Sequence, residues 1–522
     1  MDRRDFIKTG VAAGAALGLA PNLLGWVPAH NWEGYDFGSG PEVKDRLYQG
    51  PFSQYEPEAF YGGDVIQYTT PGKQLVNCFG MGMTSYIAGD LGAPHVEGES
   101  LDTTIDKLFA FPLATKVYIR PTWRHIQKRA GKLEFDDYWK ITMEKAAKYG
   151  KRVGFRIMLQ APDIKEDALP DYVLDKVPMH NLTQGTWRGR PGAGANGQME
   201  YFKVPKYDDP NFLGYFEEML ALLAEQYNGS PLIEYMDTTL FGLWGEGHAW
   251  PYTDLPFANS ATAEETFLKI YEMQNKYFNK VPLLTNTQPD FNQVGNSSVL
   301  DKSVRDGNWL RTDTIFIENE QIEALSNRPA WIAAAVEQAI SDGREETMRR
   351  DSAGIPHNEA IISHVKDVGA NYFSLWNFHN INADSLHRYY EKYPDGLNDL
   401  ASTLGFRVRP SWIWSSNHRG RQNLVFGMVN DGIACVPGVL RLTLFNDAGT
   451  VHVSGCLDAG FPKTRGVRQA LMTLPEGIDW QTTELKLKAE LEVKGVTYPV
   501  PFTVAQPLNP DGSLSIKRNT RG

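Results

Sequence analysis

The stretch Leu240-Phe241-Gly242-Leu243-Trp244-Gly245-Glu246-Gly247-His248-Ala249-Trp250 organises the whole chain. An apolar run, Met236 to Leu243, leads into it and reads as a buried strand. That strand delivers a carboxylate, Glu246, between two glycines and beside Trp244, Trp250 and His248. Glycine lets a backbone approach a ligand closely. Tryptophans beside a carboxyl group offer apolar faces to a sugar ring and raise the carboxyl pKa by desolvation. A proton donor to a glycosidic oxygen needs that environment. The same residues would also suit a strand-end glutamate paired with an arginine and flanked by packing aromatics, and the rest of the chain decides between the two.

Strand and helix patterns alternate on both sides of this stretch. The strand candidates are Leu75–Gly80, Thr115–Arg120, Arg152–Leu159, the run ending at Glu246, Val281–Thr285, a segment around Ser298 to Arg305, Pro329–Glu337 and Asn371–Asn377. For Pro329–Glu337 a helix continuing to Ile340 is an alternative. Helical spacing runs through Leu101–Phe109, Phe135–Tyr149, Phe212–Tyr227, Ala263–Phe278, Ile317–Leu325 and Asn358–Val368. Thr262 with Glu265 forms a candidate capping box. The alternation predicts a (β/α)8 TIM barrel, class α/β, over residues 74–408. An open doubly wound sheet is the alternative, but no glycine-rich phosphate loop follows the first strand.

From about Arg409 short strands follow one another without helices, which predicts an all-β sandwich over residues 409–508. Residues 31–73 read as an irregular lead-in and 509–522 as a polar, frayed tail. A long excursion, Ala161 to about Pro210, carries Trp187-Arg188-Gly189-Arg190, and excursions of this length are usually functional or disordered.

The 522 residues are 42% hydrophobic and 22% charged, an ordinary globular composition. A net charge of -11 argues against nucleic acid as the main partner. Cys78, Cys435 and Cys456 are too few for a disulfide framework or a zinc site; Cys435 and Cys456 could pair or remain free. Residues 1–30 read as an address. Asp2-Arg3-Arg4-Asp5-Phe6-Ile7-Lys8 resembles the twin-arginine export signal, and the apolar segment Val11–Ala20 behind it is too short for a stable membrane anchor. The expected location is periplasmic or extracellular.

In a barrel the functional groups sit at the C-terminal ends of the strands. Those ends present Arg120 with Trp123, Arg156 with Gln160, Glu246 with Trp244 and His248, Asn286, Arg305 with Asp306, Glu337, and Trp376 with Asn377. Glycoside hydrolysis needs this set: a carboxyl to protonate the leaving oxygen, a second to attack the anomeric carbon or activate water, polar groups for hydroxyls, and an aromatic platform. Each member has a plainer alternative. Arg120 and Arg156 serve equally as charge partners for Glu246 and Glu337, and Trp376 as core. The rivals to Glu337 are Asp306, Glu318 and Glu320. His248 reads as an orienting group, since no cluster has metal-ligand spacing.

Val117-Tyr118-Ile119-Arg120-Pro121-Thr122-Trp123, followed by Ala130-Gly131-Lys132-Leu133-Glu134-Phe135, resembles the second-strand segment of barrel glycosidases of the β-galactosidase and cellulase clan. Gly242-Leu243-Trp244-Gly245-Glu246 is similar to the fourth-strand acid/base segment of bacterial barrel glycosidases that carry a trailing sandwich domain. The resemblance covers about residues 74 to 500. It departs at Gly245, where many members of the clan have Asn. It implies a retaining mechanism, with Glu246 as acid/base and a seventh-strand glutamate, here Glu337, as nucleophile.

The expectation is therefore an exported glycoside hydrolase, exo-acting and β-galactosidase-like, with catalytic Glu246 and Glu337. Its substrate contacts would be Arg120, Trp123, Arg156, Trp244, His248, Asn286, Arg305 and Trp376. Carbohydrate is the expected partner. Neither a metal nor an organic cofactor, nucleic acid nor a stable membrane anchor is expected, and the sequence gives no oligomeric state. A non-catalytic carbohydrate-binding protein on a barrel scaffold and a polysaccharide lyase are the alternatives.

Overall fold

The computed structural model describes residues 63–87, 93–161, 167–182, 186–187, 190–191, 202–248, 256–287, 297–312, 319–340, 357–377, 383–418, 420–464 and 466–517. Its first strand, β1 (Gly63–Tyr68), belongs to a C-terminal sheet. The barrel then begins with β2 (Gly82–Tyr86), β3 (Ala114–Ile119) and β4 (Arg152–Phe155). Two small antiparallel pairs fill the excursion after β4: β5 (Met179–Leu182) with β8 (Phe202–Pro205), and β6 (Thr186–Trp187) with β7 (Arg190–Pro191). The barrel resumes with β9 (Ile233–Asp237), β10 (Leu283–Asn286), β11 (Trp309–Arg311), β12 (Ala334–Ile340) and β13 (Tyr372–Asn377). These eight strands are parallel and close on themselves in the order β2-β3-β4-β9-β10-β11-β12-β13. The fold is a (β/α)8 barrel. Parallel strands are covered on both faces, which is why β3 and β9 are buried along their whole length.

The intervening helices start and stop where local chemistry dictates. Ser100, Asp136, Asp209 and Asn259 each cap a helix by accepting from backbone N–H groups of its first turn. The predicted capping box at Thr262 is not the cap: Asn259 is, and its side chain accepts from the Thr262 N–H 2.9 Å away.

After two further helices, Ala383–Lys392 and Pro394–Thr403, the chain is all β. β14 (Val408–His418), β15 (Arg421–Asn430) and β18 (Val467–Thr473) form a sheet with β1. β16 (Val439–Phe445), β17 (His452–Leu457), β19 (Leu485–Val493), β20 (Val496–Val500) and β21 (Leu514–Ile516) form the other. Leu424, Phe426 and Met428 of the first sheet and Leu440, Leu442, Leu487 and Leu491 of the second share one core. That core runs on into the barrel through Phe79, Met81, Trp309 and Tyr372. Among the described residues no helix is long and apolar enough to cross a membrane.

Several expected elements are placed differently. Leu75–Gly80 is not the first barrel strand; β2 is. Only part of the run is buried, Val76 and Cys78–Gly80, where Phe79 stacks on Tyr498 and the Gly80 N–H donates to Glu234; Leu75 is exposed. The expected sixth strand around Ser298 is a helix, Ser297–Arg305, burying Val299 and Ser303 at helical spacing, and the strand is the short β11 behind it. The run into Glu246 leaves the sheet at Asp237, so Thr238 to Gly245 is a buried connection ending in a 3-10 turn, Leu243–Gly245. Pro329–Glu337 yields β12, displaced to Ala334–Ile340, rather than a helix. The end of the lead-in, read as irregular, supplies β1, and the tail read as frayed supplies β21. In both cases pairing with a distant strand, β14 or β19, orders a segment whose own pattern is weak. All three cysteines are free thiols. The twin-arginine segment lies outside the described residues.

Candidate active site

Two glutamates meet at the C-terminal ends of the barrel strands. Glu337 projects from β12, and Glu246 follows the turn that closes the connection after β9. Both are nearly buried, 6% and 5% exposed for Glu246 and Glu337. Arg120, one residue beyond β3, lies between them: its Nη1 is 2.8 Å from Glu246 Oε1 and its Nη2 is 3.3 Å from Glu337 Oε1. The guanidinium sits 5.1 Å from the centre of the Tyr86 ring and 5.6 Å from that of Tyr118, a cation–π cradle that keeps it in place.

The local backbone explains how Glu246 reaches this point. Gly242, Gly245 and Gly247 all have positive φ, and Trp244 between them does too, at φ 53°. A bulky residue there is strained. The conformation aims the Trp244 carbonyl at Arg156, whose Nη1 donates to it at 3.1 Å. A Cβ at position 245 would stand 3.2 Å from Arg156 Cδ, in a conformation (φ 76°) that side chains rarely adopt. The positive φ and the close approach of Arg156 together favour glycine before Glu246. The ring of Trp244 is half-buried and packs on Met158, Ala161 and Ala168.

Further charges surround the pair. Arg156 Nη1 is 3.4 Å from Glu246 Oε1, and His248 Nε2 is 3.5 Å from Glu246 Oε2. Arg311, at the end of β11, contacts Glu337 Oε2 through Nη2. Asn286, fully buried at the end of β10, donates to the Glu246 main-chain carbonyl at 2.8 Å. Burial alone would push the Glu246 carboxyl up. The charges of Arg120, Arg156 and His248 and the hydrogen bond to His248 outweigh it, and the group lies well below the usual carboxylate range. The sequence expectation that tryptophans raise this pKa is therefore reversed. A cavity within the barrel borders Asp237, Arg311 and Glu337. No group of three or more His, Cys, Asp or Glu side chains suited to a metal occurs among the described residues.

Of the expected site residues, Arg120, Arg156, Trp244, Glu246, His248, Asn286 and Glu337 come together. Trp123 does not: it is fully buried, packs edge-on against Phe212 and Phe216, and donates from Nε1 to Gln127 at 2.9 Å. Arg305 does not either. It ends an outer helix, its side chain is 73% exposed, and its contacts are with Asp301. Asp306 is excluded as a rival nucleophile, since it accepts from Tyr271, Asn275 and Lys302 at the end of the barrel where β11 begins. Trp376 lies on β13 opposite Ala339, with its side chain outside the described residues, as are Glu318 and the side chain of Glu320.

Sequence reasoning missed Arg311, Asp237 and Tyr118. Tyr118 and Asp237 sit inside apolar strand runs, and Arg311 ends a strand of three residues. A polar residue interrupting or ending an apolar strand run was the available signal.

No protein-family model matches this chain, and no curated protein matches it. Among solved structures it is similar to a GH5_18 variant from Streptomyces cattleya in complex with Manb1-4GlcNAc, at 12% identity over 59% of this chain and 72% of that one, with a TM-score of 0.38. It is similar to endo-glycoceramidase II from Rhodococcus sp., at 10% identity over 79% and 100%, TM-score 0.36. It is also similar to a GH5-4 broad specificity endoglucanase from an uncultured bovine rumen ciliate, at 10% identity over 64% and 98%, TM-score 0.35. These distant neighbours are glycoside hydrolases.

Proposed function

We propose that this protein is a glycoside hydrolase working by double displacement. The observation that carries the reading is the buried guanidinium of Arg120 held between Glu246 and Glu337 at the functional end of the barrel. Two carboxyl groups that share one guanidinium at the functional end of a barrel supply the pair that glycosidic cleavage uses. Glu337 is the nucleophile: contacts to the guanidiniums of Arg120 and Arg311 fix its carboxyl group, as attack on an anomeric carbon requires. Glu246 protonates the leaving oxygen and afterwards takes a proton from the attacking water. Because Arg120, Arg156 and His248 favour its ionised form, the bound sugar must loosen at least one of these contacts for Glu246 to act as an acid.

The finer reading is an exo-acting, β-galactosidase-like enzyme exported by the twin-arginine route. The long excursion between β4 and β9 supports a site closed into a pocket, and the Asp2–Lys8 segment supports export. Replacing Arg3 and Arg4 by Lys is expected to leave the protein in the cytoplasm; export of the double variant at the wild-type level would refute that part alone.

The mechanism is tested with azide. In Glu246→Ala, substrates with good leaving groups still glycosylate the enzyme, and azide releases a sugar azide of retained configuration. In Glu337→Ala no covalent intermediate forms, and azide attacks the substrate directly to give the inverted product. Sugar binding without turnover by the wild-type protein would favour a carbohydrate-binding role instead. Wild-type turnover by Glu246→Ala on natural substrate would exclude the mechanism.

A further inference from the structure

Beneath the two glutamates lies a third carboxylate that the mechanism does not use. Asp237 ends β9 and is fully buried. The Tyr118 hydroxyl and Arg311 Nη1 donate to its Oδ2, each at 2.5 Å, and Arg156 Nη2 lies 2.8 Å from the same atom. The Arg156 contact is a charge contact rather than an aligned hydrogen bond. Each of these arginines turns another nitrogen upward: Arg156 Nη1 to Glu246, and Arg311 Nη2 to Glu337. Tyr118 also faces Arg120 Nε and Arg311 Nη1, both 3.4 Å from its hydroxyl. Three guanidiniums thus meet three carboxylates, and Asp237 shares one arginine with each of the two glutamates.

We propose that Asp237 is the positioning residue that sets the spacing of Glu246 and Glu337, by holding Arg156 against the first and Arg311 against the second. A long arginine has many rotamers. A guanidinium anchored at one nitrogen by a strand-end carboxylate has few, and it carries that order to the group it meets at the other. Asp237 is itself fixed, because β9 pairs with β4 and β10 in the barrel wall. The charge count makes the same point. Without the Asp237 charge the two arginines face two glutamates with Arg120 already between them: Arg156, 3.4 Å from Glu246, is free to close on it, and Arg311, already in contact with Glu337, loses the anchor at its other nitrogen.

The inference rests on the glycosidase reading for its kinetic consequence, but its structural consequence stands alone. Asp237→Asn keeps the shape and removes the charge. Crystal structures of the variant should show the Arg156 or Arg311 guanidinium turned from its wild-type position, with the Glu246–Glu337 separation changed. On an activated aryl glycoside kcat should fall at least about tenfold while KM stays within about threefold. Tyr118→Phe removes only the hydroxyl that helps hold Asp237, and it should give a smaller change in the same direction; it serves if Asp237→Asn does not fold. Arginines in their wild-type positions would overturn the proposal whatever the rate. Displaced arginines with wild-type kcat would overturn it too. A wild-type protein without turnover on any glycoside would sink the glycosidase reading instead, and the position of the arginines would then decide the proposal by itself.

Discussion

Arg120 spans Glu246 and Glu337 with the two terminal nitrogens of one guanidinium, at 2.8 and 3.3 Å. The two side chains come from positions 91 residues apart in sequence (337 − 246) and share a partner from a third strand end. Removing the arginine leaves two nearly buried carboxylates without their common cation. Arg120→Met should destabilise the fold by about 3–5 kcal/mol, the usual cost of breaking a buried pair. Arg120→Lys keeps the charge but cannot span both groups. It should recover much of the stability in urea unfolding while kcat stays at least about tenfold down. Full recovery of kcat by Lys would show that charge alone matters there.

The pH dependence follows from Glu246. Its folded pKa is lowered, so its ionised form is favoured, and the protonated form needed for acid catalysis is scarce above the acid range. For substrates with poor leaving groups, kcat/KM should decline with rising pH from well below neutrality. Activated substrates, which need no proton, should lack that dependence. His248→Gln removes one of the groups that lower the pKa, so the Glu246 pKa rises and the declining limb moves to higher pH. A limb unmoved in His248→Gln would separate His248 from the proton donor.

The stability sign is the opposite of the catalytic one. A carboxyl depressed in the native state contributes stability above its unfolded pKa of about 4.3 and loses it as pH falls through the folded value. Below about pH 4 the wild-type protein should therefore lose stability with a steeper slope than Glu246→Gln, read by denaturant titrations across that range.

Trp123 separates packing from binding. Trp123→Ala should cost about 3–5 kcal/mol by leaving a cavity between Phe212 and Phe216. Sugar affinity of the folded fraction should not change. Loss of affinity at unchanged melting temperature would return Trp123 to the binding surface.

Arg305 and Arg311 give the complementary test. Arg305→Ala, on an exposed helix end, should alter stability by no more than about 0.5 kcal/mol and leave kcat unchanged. Arg311→Ala frees two buried carboxylates, Asp237 and Glu337, and should abolish activity. Equal effects of the two changes in a parallel assay would contradict the assignment of the sixth strand end.

The sequence by itself determined the alternation of strands and helices, the change to β structure after Arg409, and the convergence of Arg120, Arg156, Glu246 and Glu337. These are legible because apolar periodicity is local, and because barrel strand ends all face one site. Only the tertiary structure decided the rest. Leu75–Gly80 is the more apolar of two adjacent segments, yet the barrel's closure selects Gly82–Tyr86, whose Thr84 and Ser85 weaken its pattern, while Phe79 of the first packs against the sandwich. Ser298 to Arg305 could not be told from a strand until β11 took its place. β1 exists because β14, far later in the chain, offers it an edge. The sign of the Glu246 pKa shift was also hidden. The sequence offers Arg120 and Arg156 as partners of Glu246, but not their distances, and at close range inside the barrel their charge, with that of His248, outweighs burial.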